Sequence, residues 1–476
     1  MKFSEFFNIG KSQAELDFVD IDLDTDIPLF IDPYIFSIKQ DSWSERCHAE
    51  IISFFQAAID CVRHGNDAQG RHLLDNLSEP NETHLGLSTG TPSGRGVSGK
   101  QALDLYEQLK ASQAATSGLL SELSECDLFV DGIGSDKISD MATNIIRREL
   151  IQYSQEQCRL HGIQLQGTVA SGRLWNPAAG RWEQSYVQLP VAHGAKILLV
   201  PKASVRWNIT FDAYKYYNHF VLNFLQQEHV DSRSGLVEAL QSGERRVTKK
   251  ALREAYPITK EFLSRFSKEH PEVLEAYKRQ LEIPRQLTDR DFDPDFDECA
   301  FARALIETLR RIPTGDGAAT KFHHFSSGLL EFLFYPSLIC PEIEHEIHEG
   351  RKRIDIRFVN QSDEGFFFRM LRHPPVGAQA VFVECKNYGK EIGNPELDQL
   401  SGRFSPLRGR FGFLICRAVR DRNRLHARCK DTALDGRGII IALEDDDLIE
   451  MLALVEAGRR DELDGVLQRR YEQLAG

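Results

Sequence analysis

The sequence predicts a multidomain α/β protein in three parts: an N-terminal α/β domain over residues 1–240, a charged helical connector over 241–315, and a C-terminal α/β domain with a mixed sheet over 316–476. Three observations lead there. A chain of 476 residues exceeds what one core usually fills. Short apolar runs alternate with segments whose apolar residues recur at helical spacing. From Gly243 to Ile312 the composition turns charged and helical, opening with Arg245, Arg246, Lys249, Lys250 and Arg253.

In the first part, Phe18–Leu23 is strand-like, and Ser44–Arg63 carries Ile51, Phe54, Phe55, Ala58 and Cys61 at helical spacing. A glycine-rich segment over Gly86–Lys100 precedes a helix-like run from Gln101 to about Leu123. Asp127–Asp131 and Lys196–Pro201 have the length and apolarity of strands, with a helix from about Asp140 to Gln157 between them. The connector contains Asp289–Glu298, which lacks the loop glycine and spaced terminal glutamate of a calcium-binding EF-hand and is expected to be a solvated connection.

In the last part a helix is predicted from about Ala318, with Phe322, Phe325, Leu329, Leu330 and Leu333 on its apolar stripe. Glu342–His348, a turn at Glu349–Lys352 and the alternating run Arg353–Phe358 predict a hairpin. After Gly365–Ala378 comes the apolar strand that ends in Glu384-Cys385-Lys386. Asn394-Pro395 supplies a helix cap and a first-turn proline for a helix bearing Leu397, Leu400 and Phe404. Phe411–Cys416 and Gly438–Leu443 are two more strands, and a helix follows from about Asp445.

Composition excludes some classes. No run of eighteen apolar residues predicts a membrane span, and the start lacks a signal-peptide core, so the expected location is cytoplasmic. Nine scattered cysteines without a Cys-x-x-Cys pair fit reduced thiols better than a disulfide frame or structural zinc. The net charge of −13 argues against a surface that coats nucleic acid throughout. Yet Arg403, Arg408, Arg410, Arg417, Arg420, Arg422, Arg424, Arg428 and Lys430 cluster around a single acid, Asp421, which marks a phosphate-contacting segment. The competing reading is a solvated basic loop and helix.

Side chains alternate along a strand, so Glu384 and Lys386 share one face while Val381, Val383 and Cys385 take the other. Asp355 likewise lies opposite the apolar Ile354, Ile356 and Phe358. Asp355 followed by Glu384-Cys-Lys386, within an α-β-β-β-α-β order, resembles the PD-(D/E)XK, or restriction-endonuclease-like, nuclease superfamily over about Ala318–Leu454. Ile354 stands where the family name has proline. The resemblance implies a restriction-endonuclease-like core in which Asp355, Glu384 and the Cys385 carbonyl ligate magnesium, with manganese as the alternative. It also implies that Lys386 handles the water or the phosphate charge, and that Glu331 and Gln399 complete the site. A hard cation on oxygen ligands suits phosphodiester hydrolysis because it neutralises charge during attack and acidifies water.

The implied function is a DNA endonuclease of bacterial restriction or antiphage defence, a homodimer or higher oligomer with a separate ATPase or sensor as a further partner. The alternative is a nuclease-fold protein that binds nucleic acid or scaffolds a complex without turnover. Each residue also has a structural alternative: Glu384 with Lys386 as a salt bridge, Asp355 with Arg357 as the polar face of a hairpin. His345 and His348 differ in strand parity and are expected to be hairpin residues. Gly94–Gln101 approaches a phosphate-loop pattern, but Gln101 replaces the magnesium-binding Ser or Thr, so a flexible glycine loop is expected. Asp140 with Lys202 is either a worn second copy of the nuclease pattern, with Val200 in the glutamate's place, or part of a structural turn and cap.

Overall fold

The computed structural model describes residues 1–77, 79–86, 99–117, 119–232, 235–239, 245–281, 285–343, 356–387, 391–417 and 419–475. Two hydrophobic cores organise them, one built by residues from Phe3 to Leu287 and one by residues from Ala302 to Leu474. Each borrows from the other side. Ile339, Cys340 and Val359 join the first core, and Ala14 joins the second.

Helix α1 (Ser42–His64) runs through the first body, capped by the Asp41 carboxylate on the Trp43 and Ser44 amides and ended by Gly65 at φ 67°. The single helix expected around Asp140–Gln157 is two, α2 (Ser135–Ile145) and α3 (Arg147–Leu160), broken at Ile146. Next comes a ribbon of β1 (Gln166–Asn176) and β2 (Arg181–Leu189) that the apolar pattern does not reveal. Its middle is largely exposed, so its residues carry little of the alternation that marks a half-buried strand.

Three expected strands are absent. Phe18–Leu23 forms isolated bridges only, Phe18 with Pro201 and Asp22 with Lys2. Cys126–Phe129 forms a helical turn, because a short apolar run buried among helices has no ladder to join. Ile197–Val200 is extended, but its backbone groups bond one by one to different partners: Leu198 N to Glu82 O, Leu199 N to Ser154 Oγ, and Val200 O to Val19 N. Among the described residues the strands before Ala255 form two-stranded pairs only.

The connector does not stand apart. Helices Lys249–Ala255, Lys260–Glu269 and Pro271–Arg279 bury Leu252, Leu263, Phe266, Leu274 and Tyr277 in the first core. Helix α4 (Glu298–Arg311), capped by Asp297, buries Leu305, Ile306 and Leu309 in the second.

The C-terminal body is a five-stranded mixed sheet between helices. In chain order come α5 (Ala319–Phe334), β3 (Leu338–Ile343), β4 (Ile356–Asn360), α6 (Gly365–Arg372), β5 (Ala380–Lys386), α7 (Asn394–Ser401), β6 (Phe411–Cys416), α8 (Arg422–Leu434), β7 (Ile439–Leu443), α9 (Asp445–Glu456) and α10 (Leu463–Ala475). The sheet order is β7-β6-β5-β4-β3; β3, β4 and β5 pair antiparallel, while β5, β6 and β7 run parallel. Parallel neighbours need crossovers, which α7 and α8 provide. Every residue of β5 is buried, as expected of a central strand covered on both faces. Gly412 allows α7 its close approach, since a Cβ there would meet the Phe382 carbonyl at 2.7 Å and the Leu400 and Phe404 side chains at 3.3 Å. Gly393 caps α7 one residue earlier than Asn394-Pro395 suggests. All nine cysteines are free, and Cys299 is the one not fully buried. Among the described residues no helix is long and apolar enough to cross a membrane.

Candidate functional site

Strand β5 delivers Glu384 and Lys386 to its carboxyl end, 1 % and 4 % exposed, with the Lys386 ammonium donating to Glu384 Oε1. Their shared face also carries Phe382, whose ring lies 5.8 Å from that of Phe404 and under the Arg408 guanidinium at 5.6 Å. The segment after α7 therefore covers the sheet face that bears the acid and the lysine. Glu384 Oε2 is buried with no hydrogen-bond partner among the described residues. An ionised oxygen left without a partner in a buried site is costly, which makes it a natural ligand for a cation.

On the opposite face α5 supports β5. His323 Nε2 lies 2.9 Å from the Cys385 carbonyl, and since a carbonyl can only accept, this nitrogen carries the proton. The Cys385 carbonyl thus already has a protein partner. Burial pushes the Cys385 thiol up to about 12, which keeps it protonated.

Asp355 lies outside the described residues, immediately before Ile356, whose partner across the sheet is Val383. Gly94–Ser98, His345 and His348 also lie outside them. Arg357 pairs with Glu342 across β3 and β4 at 2.7 Å. Gln399, on α7, is half-buried, as is Arg403 just beyond that helix. Among the described residues no three His, Cys, Asp or Glu side chains gather in a metal-holding group.

Glu331 belongs to a different place. On α5 it faces the first body, where its carboxylate meets Lys202 Nζ at 3.3 Å, both side chains almost fully buried. Lys202 also approaches Asp289 at 3.7 Å and the Tyr335 ring at 4.0 Å. Beside them Asp17 accepts from the Tyr153 hydroxyl at 2.6 Å and from the Cys340 amide of β3 at 3.0 Å. Burial pushes the Glu331 carboxyl up to about 8, against the lowering pull of Lys202, and raises that of Asp17. This network joins the two bodies. Its signals in the sequence are slight: one acid between apolar neighbours at Leu16-Asp-Phe, and one lysine after Leu198-Leu-Val-Pro.

Lys202 is thereby committed to Glu331. Asp140 sits inside α2, where burial and its neighbours Asp136, Glu79 and Asp26 push its carboxyl up to about 8. The acidic connector segment is partly structural as well: Asp289 serves Lys202, Asp291 takes two bonds from Arg285, and Asp297 caps α4.

The basic segment divides. Arg417 is buried, donating to Asp445 at 2.8 Å and to the Ile312 carbonyl at 2.9 Å with its guanidinium over the Phe322 ring, so it is a structural cation rather than a phosphate contact. Arg422 Nη2 donates to both carboxylate oxygens of Asp447, and Arg424 pairs with Glu391 at 3.3 Å. Arg408 and Arg420 are exposed and Arg410 is half-buried.

Comparison with known proteins adds one match. The model of a domain of unknown function, DUF8370, matches residues 8–212, in the first body. No curated protein and no solved structure matches the chain.

Proposed function

We propose that the C-terminal body is a metal-dependent endonuclease that hydrolyses DNA phosphodiester bonds. The observation that carries this reading is the buried Glu384 Oε2, without a hydrogen-bond partner among the described residues, beside Lys386 at the carboxyl end of a central strand. Ligand sites of open α/β sheets lie at that end of the strands. The order α5-β3-β4-β5-α7-β6, with α6 inserted between β4 and β5, supports reading this body as a restriction-endonuclease-like core. A magnesium ion held by Glu384, with Asp355 as second ligand, would supply charge neutralisation and an acidified water.

The chain's own residues do the rest. Lys386 places a buried ammonium next to the carboxylate, where it stabilises negative charge on a phosphate or orients the attacking water. His323 and the α5 layer fix the strand end from behind. Arg408 and Arg420 offer exposed charge for the DNA backbone, with Gln399 and Arg403 half-buried around the end of α7.

The test is plasmid cleavage by the purified full chain with and without magnesium. Wild type should nick or linearise DNA only with the metal, and Glu384→Gln and Lys386→Met should each lower the rate by about 100-fold or more while circular dichroism stays unchanged. Unaltered cleavage in both variants would refute the assignment. The internal pairing of Glu384 with Lys386 favours a second reading, a binding protein without turnover, which predicts salt-dependent DNA binding and no metal-dependent product.

A further inference from the structure

A cavity of about 430 Å³ opens where the three segments of the chain meet, away from the Glu384 strand end. The residues that lead into α1 form one wall, with Lys39, Gln40 and Asp41. The connector contributes Gln286, and the C-terminal body contributes Gln361, Phe368 and Arg372. Across the opening Arg372 donates to Gln40 Oε1 at 3.1 Å.

Three lining side chains have polar atoms that are buried and lack hydrogen-bond partners among the described residues: Gln286 Nε2, Gln361 Nε2 and Asp41 Oδ2. Gln361 and Asp41 are 8 % and 3 % exposed. Buried polar groups are normally hydrogen-bonded, and three without partners on side chains around one cavity are bonds that an occupant there would complete. They ask for two acceptors and one donor on the occupant.

The charge is equally selective. In a chain of net charge −13, the cavity lining carries Lys39, Arg206, Arg285 and Arg372 against Asp41 and Asp363. Arg206 and Arg285 already serve the chain itself, through backbone carbonyls and Asp291 respectively. Lys39 approaches the exposed Asp363 at 3.9 Å, a loose pairing, and it and Arg372 are the cations best placed for an anion. Burial lowers the Lys39 pKa, and an added negative charge beside it would raise it again. The Phe368 ring, already under the Arg372 guanidinium at 5.3 Å, supplies a flat apolar surface.

We infer that this cavity binds a nucleotide, with its phosphates on Lys39 and Arg372 and its base against Phe368, within reach of Gln361, Gln286 and the Asp41 carboxylate. The volume is in the range of small-molecule sites, roughly 300–1,000 Å³. A free phosphate would use the cations but not the Phe368 surface. Because the walls come from both bodies, the nucleotide would hold them together and raise the melting midpoint in a concentration-dependent way. The inference does not rest on the nuclease assignment.

The experiment is calorimetric titration of the full chain with the four common ribonucleoside triphosphates and their monophosphates, with inorganic phosphate and pyrophosphate as controls. At least one nucleotide should bind more tightly than either control and raise the melting midpoint. Arg372→Ala, at an exposed position, and Gln361→Leu should each weaken that binding about tenfold or more, one lost charged or buried hydrogen bond being worth that much. Should Gln361→Leu alter the fold by circular dichroism, Arg372→Ala alone decides. The inference fails if no nucleotide exceeds the controls. It also fails if Arg372→Ala binds like wild type, or if binding is lost in Lys100→Ala and kept in Arg372→Ala.

Discussion

Among the described residues two lysine–glutamate pairs are almost fully buried, and they do different work. Lys386 and Glu384 lie two residues apart on one strand, and one carboxylate oxygen has no partner among the described residues. Lys202 and Glu331 come from opposite bodies, and the lysine is further held by Asp289 and the Tyr335 ring. The first pair costs no chain closure to form, because the strand itself presents it. The second forms only when the two bodies dock, so it reports on their association. A buried ion pair is a weak source of net stability in either setting, but removing one partner is expensive. What distinguishes the pairs is therefore their surroundings.

The largest expected difference is in activity. Lys386→Met should lose magnesium-dependent cleavage by about 100-fold or more, whereas Lys202→Met, assayed at a temperature where it stays folded, should stay within a few-fold of wild type. Equal loss in both would break the comparison and make the junction part of the site.

Next in size is stability. Lys202→Met leaves Glu331 buried without its cation and should cost about 3–5 kcal/mol in denaturant titration at pH 9. The double variant Lys202→Met, Glu331→Gln should recover a large part of that loss. No recovery would mean that packing at the junction, rather than charge, sets the cost.

A smaller effect is expected with pH. The Glu331 carboxyl is raised from 4.5 to about 8 on folding, so between these values the folded state holds a proton that the unfolded state has released. Its contribution to stability is fully present below about 4.5 and is lost as pH rises through about 8. Glu331→Gln should flatten that part of the stability profile, while Glu384→Gln should leave it in place. An unchanged slope in Glu331→Gln would assign the pH dependence to another buried acid, such as Glu50 or Asp140.

The smallest effect separates the arginines. Arg420→Ala should lower the salt dependence of DNA binding by about one unit of slope with little change in stability. Arg417→Ala should destabilise the fold without a specific change in that slope. The reverse pattern would overturn the division of the basic segment.

Much of the C-terminal body was legible in the sequence. The strands at Phe411–Cys416 and Ile439–Leu443, and the helix with Phe322, Leu329 and Leu330 on its buried face, lie where the apolar spacing places them. The first body was read less well. Asp127–Phe129 has the composition of a strand and forms a helical turn, since a short apolar run carries no information about what lies beside it. The β1–β2 ribbon was invisible for the opposite reason, because its exposed middle lacks a buried face.

The sequence by itself determined that Glu384 and Lys386 would share one face at the end of an apolar strand. Backbone alternation settles that over a few residues, and the same short range explains the helical stripes and their caps. Only the tertiary structure decided that Glu331 answers to Lys202, that Arg417 is spent inside its own domain, and that Asp41, Gln286 and Gln361 surround one cavity. Those outcomes depend on which distant segments pack together. Packing is decided by the shape and burial of whole bodies, which no local pattern of residues encodes.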